Sequence, residues 1–329
     1  MPDVLMSYIK QSPARGYLPR MLLLFWLATC GSPPVWSQHD DEESEQATPE
    51  YRYWDWGVTP KRDDYQVRLL RLALEKTRAS HGEFRIVRVK ARFSTPRVRR
   101  ELSRGKIINV QVGPWRRLSQ SLDRGADPAI RIDIPIDKGL WGYRHVIIRR
   151  ENLARFAAIE GARELRQMLA GQVRGWVDID IYRANGFRVA DSSNIGNLLA
   201  MLNAKRYDYV PMGIVEAPLL LASKGEKAEQ MLVAPAPLIY FPLPFVFYLS
   251  IHEPEMAQRL EQGLRVAQAD GSFDALFAQT FAAELEMIRA YQGGYIQLDN
   301  PLLPPAMRGS PAFLQQSEIA GARSLPVSD

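Results

Sequence analysis

Cysteine and histidine are scarce in this 329-residue chain, and their scarcity excludes several kinds of site. Cys30 is the only cysteine, and 4 histidines are scattered along the sequence. Because Cys30 falls inside or beside an N-terminal leader, we expect an exported chain with no disulfide of its own and no thiol nucleophile. No HExxH motif and no paired-cysteine spacing occurs, so we predict neither a metal nor a cofactor.

Enzyme motifs and concentrated charge are also missing. The sequence has no nucleophile elbow and no P-loop, and His145, Asp178 and Glu216 are too far apart in sequence to indicate a catalytic constellation. We therefore expect a protein that is not an enzyme. The net charge of +5 comes from 42 basic and 37 acidic side chains spread along the chain, whereas nucleic-acid binders concentrate theirs. No nucleic-acid partner is predicted.

The longest apolar run near the N-terminus, MLLLFWLATC, is too short to span a membrane comfortably and follows Arg15 and Arg20. This pattern predicts a signal peptide over residues 1–37, cleaved after Ser37, and a periplasmic protein. The alternative is a lipoprotein anchored through Cys30. Residues 38–50 are rich in Asp, Glu, Ser and Gln and are predicted to be a disordered acidic spacer.

From residue 51 onwards, predicted strands alternate with predicted helices, which indicates an α/β protein with mainly parallel sheets. Two passages, Ile130–Arg150 and Pro235–Ile251, are unusually dense in β-branched and aromatic residues. We interpret them as two crossings between two lobes, with a binding cleft between the lobes. The predicted segments are lobe 1 over 51–141 and 245–305, lobe 2 over 142–244, and a disordered tail over 306–329.

Candidate ligand-binding residues follow the ends of predicted strands, where ligands lie in open parallel sheets. After the first strand, Trp54 and Trp56 either pack the strand or stack on a ligand. Glycine at a strand-to-helix turn directs backbone N–H groups at the helix start, and Asp178 either caps that helix or contacts ligand. The other candidates, some of which have equally ordinary structural roles, are Trp115, Arg116, Arg117, Gly175, Trp176, Met212 and Glu216.

Four segments follow one another between Tyr51 and Pro305: LSRGKIINVQVGP, PIDKGLWGYRHVIIRR, LLAMLNAKRYDYV and ADGSFDALFAQTF. In this order they resemble type 2 periplasmic solute-binding proteins of amino-acid ABC transporters, and the resemblance extends from Tyr51 to Pro305. The segments GQVRGWVD, RANG, IYFPLP and DNPLLPP are similar to a divergent branch of that superfamily. The resemblance implies a two-lobed scaffold with two crossover strands and a bound solute.

The chain departs from that family where the family holds an amino acid. Trp115 stands near the position of a family threonine, and Leu118 stands where a carboxylate-gripping arginine follows. Gly213 stands where an aspartate holds the ammonium group, and Glu216 is the nearest carboxylate. We expect a monomer that captures a small polar solute, amino-acid-like or another charged metabolite, for the inner-membrane permease of an ABC-type uptake system. The alternative is a sensor or interaction module whose cleft is degenerate and whose partner is a membrane protein.

Overall fold

Two β-sheets, each flanked by helices, make up the computed structural model of this protein. The structure describes residues 48–118, 128–223, 225–291, 293–308 and 324–325, all within the unit Ala47–Asp329. The predicted signal peptide, most of the predicted spacer and most of the predicted tail lie outside these residues. Within the described ranges, no helix has both the length and the apolar character that crossing a bilayer requires.

The strands and helices alternate along much of the chain, as the sequence predicts. The strands are β1 (Glu50–Asp55), β2 (Arg85–Lys90), β3 (Val110–Pro114), β4 (Ala129–Arg131), β5 (Tyr143–Arg149), β6 (Leu169–Val173), β7 (Arg188–Ser192), β8 (Tyr209–Gly213), β9 (Met231–Val233), β10 (Leu238–Tyr240), β11 (Phe245–Ser250), β12 (Tyr295–Gln297) and β13 (Ser324–Leu325). The α-helices are α1 (Pro60–Lys76), α2 (Arg78–His81), α3 (Thr95–Arg104), α4 (Leu153–Ala157), α5 (Ala162–Gln167), α6 (Asp178–Ala184), α7 (Ile195–Asn203), α8 (Glu216–Ala222), α9 (Pro254–Ala269), α10 (Ser272–Ala290) and α11 (Pro305–Arg308).

The first sheet has the strand order β2-β1-β3-β11-β4. Its pairs β1–β2 and β1–β3 are parallel, and β11 is antiparallel to both of its neighbours. The apolar faces of α1, α9 and α10 pack with this sheet in one hydrophobic core that includes Leu69, Phe247, Leu260 and Phe277. Within each element the buried apolar residues repeat at helical or strand spacing, as Tyr65, Leu69 and Ala73 do in α1. This spacing is why the sequence pattern predicts the elements correctly. We call this sheet with its helices the first lobe.

The second sheet has the order β13-β12-β10-β5-β8-β6-β7, with β9 also paired to β5. Parallel pairs join β6 to β7 and to β8, while β5 is antiparallel to β8 and β10. Helix α7 packs Leu198, Leu199 and Leu202 against this sheet. We call this sheet with its helices the second lobe. Both sheets therefore contain parallel and antiparallel pairs of strands. The antiparallel pairs involve β5, β10 and β11.

The two β-rich passages join the two sheets, as the sequence predicts. The first passage begins with β4 in the first sheet and ends with β5 in the second, and the other runs from β10 back to β11. The passages also pair with each other. The N–H groups of Ile132 and Ile136 donate to the carbonyls of Phe247 and Phe245 at 3.0 and 2.9 Å. The α/β fold with two crossing strands is therefore confirmed.

Several element details differ from the sequence prediction. The predicted boundary places residues 245–305 in lobe 1, but β12 pairs in parallel with β10 of the second sheet. Asn194 caps α7 by accepting the N–H of Asn197 at 3.0 Å, although two serines, Ser192 and Ser193, stand just before it. The Ser192 hydroxyl instead donates to the Asn194 carbonyl at 2.7 Å, which leaves the asparagine to cap the helix.

Asp137 belongs to the first passage and is fully buried where this passage contacts the second. Its carboxylate accepts the N–H of Phe245 on the other passage at 3.1 Å and the N–H of Trp141 at 3.4 Å. Burial raises the pKa of Asp137 from its usual 3.8 to about 7, although these backbone donors oppose the shift. The folded protein therefore favours the protonated carboxyl more than the unfolded chain does.

We predict that Asp137→Asn reduces the loss of stability on raising the pH from 5 to 8. A raised pKa contributes stability at low pH that is lost as the pH rises through the folded pKa, and here the loss amounts to about 2–3 kcal/mol. Urea unfolding at both pH values would measure the difference between wild type and variant. Asp180→Asn, which changes an exposed carboxylate, is the control. Identical pH dependence in wild type and Asp137→Asn would contradict the prediction.

Candidate functional site

A cavity of about 140 Å³ lies between loops of the two lobes, beside the crossing strands. The first lobe contributes the end of β1, the start of α1, the start of α3 and the end of β3. The second lobe contributes the turns before α6 and α8 together with β5. Its walls are formed by Trp54, Trp56, Arg62, Phe93, Thr95, Val98, Arg99, Gln111, Val112, Gly113, Pro114, Arg116, Arg144, Gly175, Trp176, Val177, Asp178, Glu216 and Phe245.

Most of the candidate residues from the sequence lie around this cavity. They come from four separate loops, which meet because each follows a strand of one of the two sheets. Their ligand-binding role stays a prediction. The candidates that line the cavity are Trp54, Trp56, Arg116, Gly175, Trp176, Asp178 and Glu216.

Three candidates lie elsewhere. Trp115 packs in a separate core cluster, with its indole N–H donating to Asp133 at 2.8 Å. Met212 is fully buried in the core of the second lobe. Arg117 is exposed and is not part of the cavity wall. Trp115 lies between two residues of the cavity wall, Pro114 and Arg116, although its own side chain packs into that separate cluster.

The turn after β1 positions Trp56 and Arg62. The Asp63 carboxylate accepts the N–H of Gly57 at 2.9 Å, which ties the turn to the first turn of α1. Helix α1 begins at Pro60, because proline suits the first helical position. The Arg62 guanidinium then lies 4.6 Å from the centre of the Trp56 ring, a cation–π distance.

The turn between β6 and α6 positions Trp176 on the opposite wall. Gly175 has a φ of +84°, a left-handed conformation in which other residues are strained. A Cβ at this position would lie 3.7 Å from the Cβ of Thr95 at the start of α3, so the two lobes are in close contact here. The rings of Trp56 and Trp176 meet edge to face with centroids 6.3 Å apart.

Four buried charges line the cavity where the lobes meet. Arg62 of the first lobe pairs with Glu216 of the second, and Arg144 of β5 lies 2.7 Å from Asp178 and 3.9 Å from Glu216. None of the four residues is more than 8 % exposed. Buried charges require such partners, since a single ion left in the interior pays a desolvation cost of several kcal/mol.

Gly213 makes room for this cluster of charges. It pairs in register with Arg144 across β8 and β5. A Cβ at position 213 would clash with the Glu216 carboxylate and lie 3.2 Å from the Arg144 guanidinium. The glycine that stands where the resembled family has an aspartate therefore leaves space for the carboxylate three residues later.

Burial also shifts the pKa of two acidic groups near the cavity. It raises the pKa of Asp178, an effect that the Arg144 guanidinium opposes and the Glu216 carboxylate reinforces. Burial raises the pKa of Asp63 to about 6, against the influence of Arg62. Asp178 lies in the first turn of α6, where Val177 rather than Asp178 is the capping residue.

Sequence reasoning missed Arg62, Arg99, Gln111 and Arg144. A usable signal exists for Gln111, because it is a polar residue inside an otherwise apolar strand, and buried polar side chains need a reason, whereas Arg144 lies in a strand that also holds His145 and Arg149. Arg62 and Arg99 belong to helices with many basic residues, and nothing in their local sequence distinguishes them from exposed arginines. Within the described ranges, no group of three or more His, Cys, Asp or Glu side chains is arranged to hold a metal.

No family model matches the sequence, and no curated protein matches it either. Solved structures are similar at low identity. An ancestral arginine-binding protein bound to arginine is 13% identical, with 70% of this chain and 98% of that chain covered and a TM-score of 0.48. An amino acid ABC transporter substrate-binding protein from Streptococcus pneumoniae, bound to L-arginine, is 13% identical, with 66% and 82% covered and a TM-score of 0.44.

A histidine kinase sensor domain with similarity to periplasmic binding proteins is also similar. It is 15% identical, with 71% of this chain and 95% of that chain covered and a TM-score of 0.46. A transport protein and a sensor domain are thus both among the solved structures to which this chain is similar.

We predict that Glu216→Ala lowers the free energy of unfolding by about 3–5 kcal/mol, because it removes the nearer carboxylate of the buried Arg62 guanidinium and leaves only Asp63, 3.9 Å away. Chemical denaturation would measure the loss. The matched control is Glu261→Ala, which removes an exposed helix pair with Arg265 and should cost about 0.5 kcal/mol or less.

The double variant Arg62→Met/Glu216→Leu should be more stable than Glu216→Ala, since it removes both charges of the pair. If Glu216→Ala and Glu261→Ala were equally stable, the buried pair would have no special energetic role.

Proposed function

We propose that this is an exported, periplasmic solute-binding protein whose two lobes close on a small charged solute for an ABC-type uptake system. One observation carries the proposal: the cavity has a wall from each lobe, and the walls meet through Trp56 against Trp176 and Arg62 against Glu216. A cleft built in this way can change its volume only when the lobes move apart. Such a movement couples ligand entry to the shape of the whole molecule.

The two crossing passages provide the hinge for that movement. Between β4 and β5 the first passage has non-regular backbone at residues 132–139, and the second passage has it at residues 241–244. Residues that connect regular elements absorb the backbone rotations of domain closure. A solute that contacts both lobes would bind the closed form more tightly and shift the population towards it.

The size and chemistry of the cavity limit the solute. At about 140 Å³ the cavity is smaller than the ~300–1,000 Å³ of typical drug-sized pockets, so the closed form suits a compact molecule. Aromatic rings and arginines dominate its walls. A small molecule with a flat or apolar part and a charged group would satisfy both kinds of wall. The proposed transport partner is an inner-membrane permease, and the binding protein acts as a monomer.

A second candidate function is a sensor or interaction module in which the cleft no longer captures solute. It is favoured by the pairing of Arg62 with Glu216 and of Arg144 with Asp178, because these charges already satisfy one another. In that case the closed arrangement would persist without ligand. The partner would be a membrane-bound signalling protein, and isolating membrane proteins with the tagged, exported chain would distinguish a sensor from a permease.

We predict that a solute from a panel of small metabolites raises the melting temperature and changes the tryptophan emission of the wild-type protein. A ligand that binds only the folded state stabilises it by RT ln(1 + L/Kd), where L is the ligand concentration, so the stabilisation grows with the logarithm of that concentration once it exceeds the dissociation constant. The emission change should be smaller in Trp176→Phe, because Trp176 lies in the cavity wall and contacts Trp56 across the cleft.

Trp115→Phe is the matched control, since Trp115 is buried outside the cavity wall. It should keep the emission change of the wild type. If no metabolite alters emission or melting temperature, solute capture is contradicted and the sensor function gains support.

A further inference from the structure

The side chain of Gln111 is buried at the cavity and its oxygen lacks a donor among the described residues. Gln111 lies in β3, is 8 % exposed and forms part of the cavity wall. Its side-chain oxygen is buried and accepts no hydrogen bond from the described part of the chain. Buried amide groups are normally hydrogen-bonded, because an unpaired one costs the free energy of removing it from water. An unpaired acceptor at a cavity therefore indicates a ligand that donates a hydrogen bond.

Gly113 gives the Gln111 side chain room to lie along β3 towards the cavity. Residues two apart on a strand face the same side of the sheet, so positions 111 and 113 are neighbours on one face. A Cβ at position 113 would lie 3.3 Å from the Gln111 amide nitrogen, closer than side chains usually pack. Gly113 and Pro114, at the carboxyl end of β3, also line the cavity. The local sequence of this strand thus holds the amide at the cavity.

The opposite wall offers a second acceptor. The Oδ1 atom of Asp178 lies 2.7 Å from the Arg144 guanidinium, yet it is buried and accepts no hydrogen bond within the described ranges. Asp178 belongs to the second lobe, whereas Gln111 belongs to the first. A ligand with N–H or O–H groups can therefore donate to both walls, and such a ligand favours the closed arrangement of the lobes.

The charges of the wall favour a donor that is itself uncharged. Arginines outnumber carboxylates there, with Arg62, Arg99, Arg116 and Arg144 against Asp178 and Glu216. Each carboxylate lies beside an arginine of the chain, so an ammonium group would have to displace that arginine to gain a full ionic partner. An uncharged N–H or O–H group needs only an acceptor.

We propose that Gln111 is a specificity-determining residue that selects solutes carrying an uncharged N–H or O–H donor, with Asp178 accepting from the same solute on the opposite wall. Trp56 and Trp176 enclose the flat body of such a solute. Suitable chemical classes are aromatic amines, amides and heterocycles with a ring N–H. This inference rests on the solute-binding function proposed above and adds a hydrogen-bond donor to the charged solute proposed there.

Two pairs of probes, matched in shape, test the inference. 4-Aminobenzoate carries an uncharged amino donor that 4-methylbenzoate lacks, and 4-(aminomethyl)benzoate carries an ammonium group that 4-ethylbenzoate lacks. Calorimetric titration of the full chain should show 4-aminobenzoate binding at least about tenfold more tightly than 4-methylbenzoate. In the second pair the ammonium compound should bind no more tightly than 4-ethylbenzoate.

Two glutamine variants provide the matched comparison. Gln111→Met keeps the length of the side chain but removes the acceptor, so the preference for 4-aminobenzoate over 4-methylbenzoate should fall to about twofold or less. Without ligand, Gln111→Met should melt at the wild-type temperature or higher, because a buried unpaired group has been removed.

The control variant is Gln172→Met. The oxygen of Gln172 is likewise unpaired among the described residues, but Gln172 lies in β6 outside the cavity wall and donates to the Pro211 carbonyl at 3.2 Å. Because this variant loses that hydrogen bond, its melting temperature should fall by about 2–4 °C. Its preference for 4-aminobenzoate should match that of the wild type.

Three results would overturn the inference while leaving solute binding intact. They are equal affinities for 4-aminobenzoate and 4-methylbenzoate, an unchanged preference in Gln111→Met, and tighter binding of 4-(aminomethyl)benzoate than of 4-ethylbenzoate. A melting temperature of Gln111→Met as low as that of Gln172→Met would show a structural role and would also overturn it. So would absence of binding by all four probes, and the broader metabolite panel then decides separately whether the cavity binds any solute.

Discussion

The pairing of the two crossing passages is the interaction on which the two-lobed arrangement depends. Their backbones run side by side, joined by the bonds from Ile132 and Ile136 and by the N–H of Phe241, which donates to Gly142 at 3.3 Å. Gly142 is required at that point because a Cβ there would overlap the Phe241 carbonyl. A double connection of this kind restricts the lobes to bending about one line, whereas a single linker would leave their relative orientation free.

The buried charges at the cavity place a second constraint on the same motion. Arg62 and Glu216 belong to different lobes, so any opening of the cleft must separate them or admit water to both. Arg144 and Asp178 both belong to the second lobe and can stay paired while the cleft opens. Opening therefore separates Arg62 from Glu216 but leaves Arg62 within 3.9 Å of Asp63 on its own lobe, and it leaves the second lobe's own pair intact.

How far the sequence predicts this molecule can be judged from particular residues. Periodicity predicts α1, α7 and α9, because their apolar faces are buried against a sheet, and composition identifies the two passages, because strands buried on both faces are rich in β-branched and aromatic residues. The loops after β1 and β6 are identified through Trp56 and Trp176. Trp115 and Met212 show the limit, since a residue at the end of a strand faces either the cleft or the core according to backbone register.

Arg62 and Glu216 show a different limit. Their pairing joins positions 154 residues apart, and neither local pattern nor composition reports a contact of that kind. The sequence indicates only that Glu216 begins a helix, where an acidic residue is stabilised by the helix dipole, and this ordinary explanation is also correct. One carboxylate therefore serves the helix start and the buried pair together.

The buried pairing of Glu216 connects two of the chain's departures from the amino-acid-binding pattern, the glycine at position 213 and the carboxylate at position 216. With Gly213 in place of an aspartate, Glu216 has room to reach Arg62 and Arg144, and the carboxylate that would have met a ligand ammonium is used inside the protein. On the first lobe, the positions of the carboxylate-binding pattern hold Trp115, which packs into the core, while Arg99 and Gln111 reach the cavity from α3 and β3. Both carboxylates at the cavity therefore lie beside arginines of the chain itself, and a cation from outside would have to displace one of these arginines to take its place.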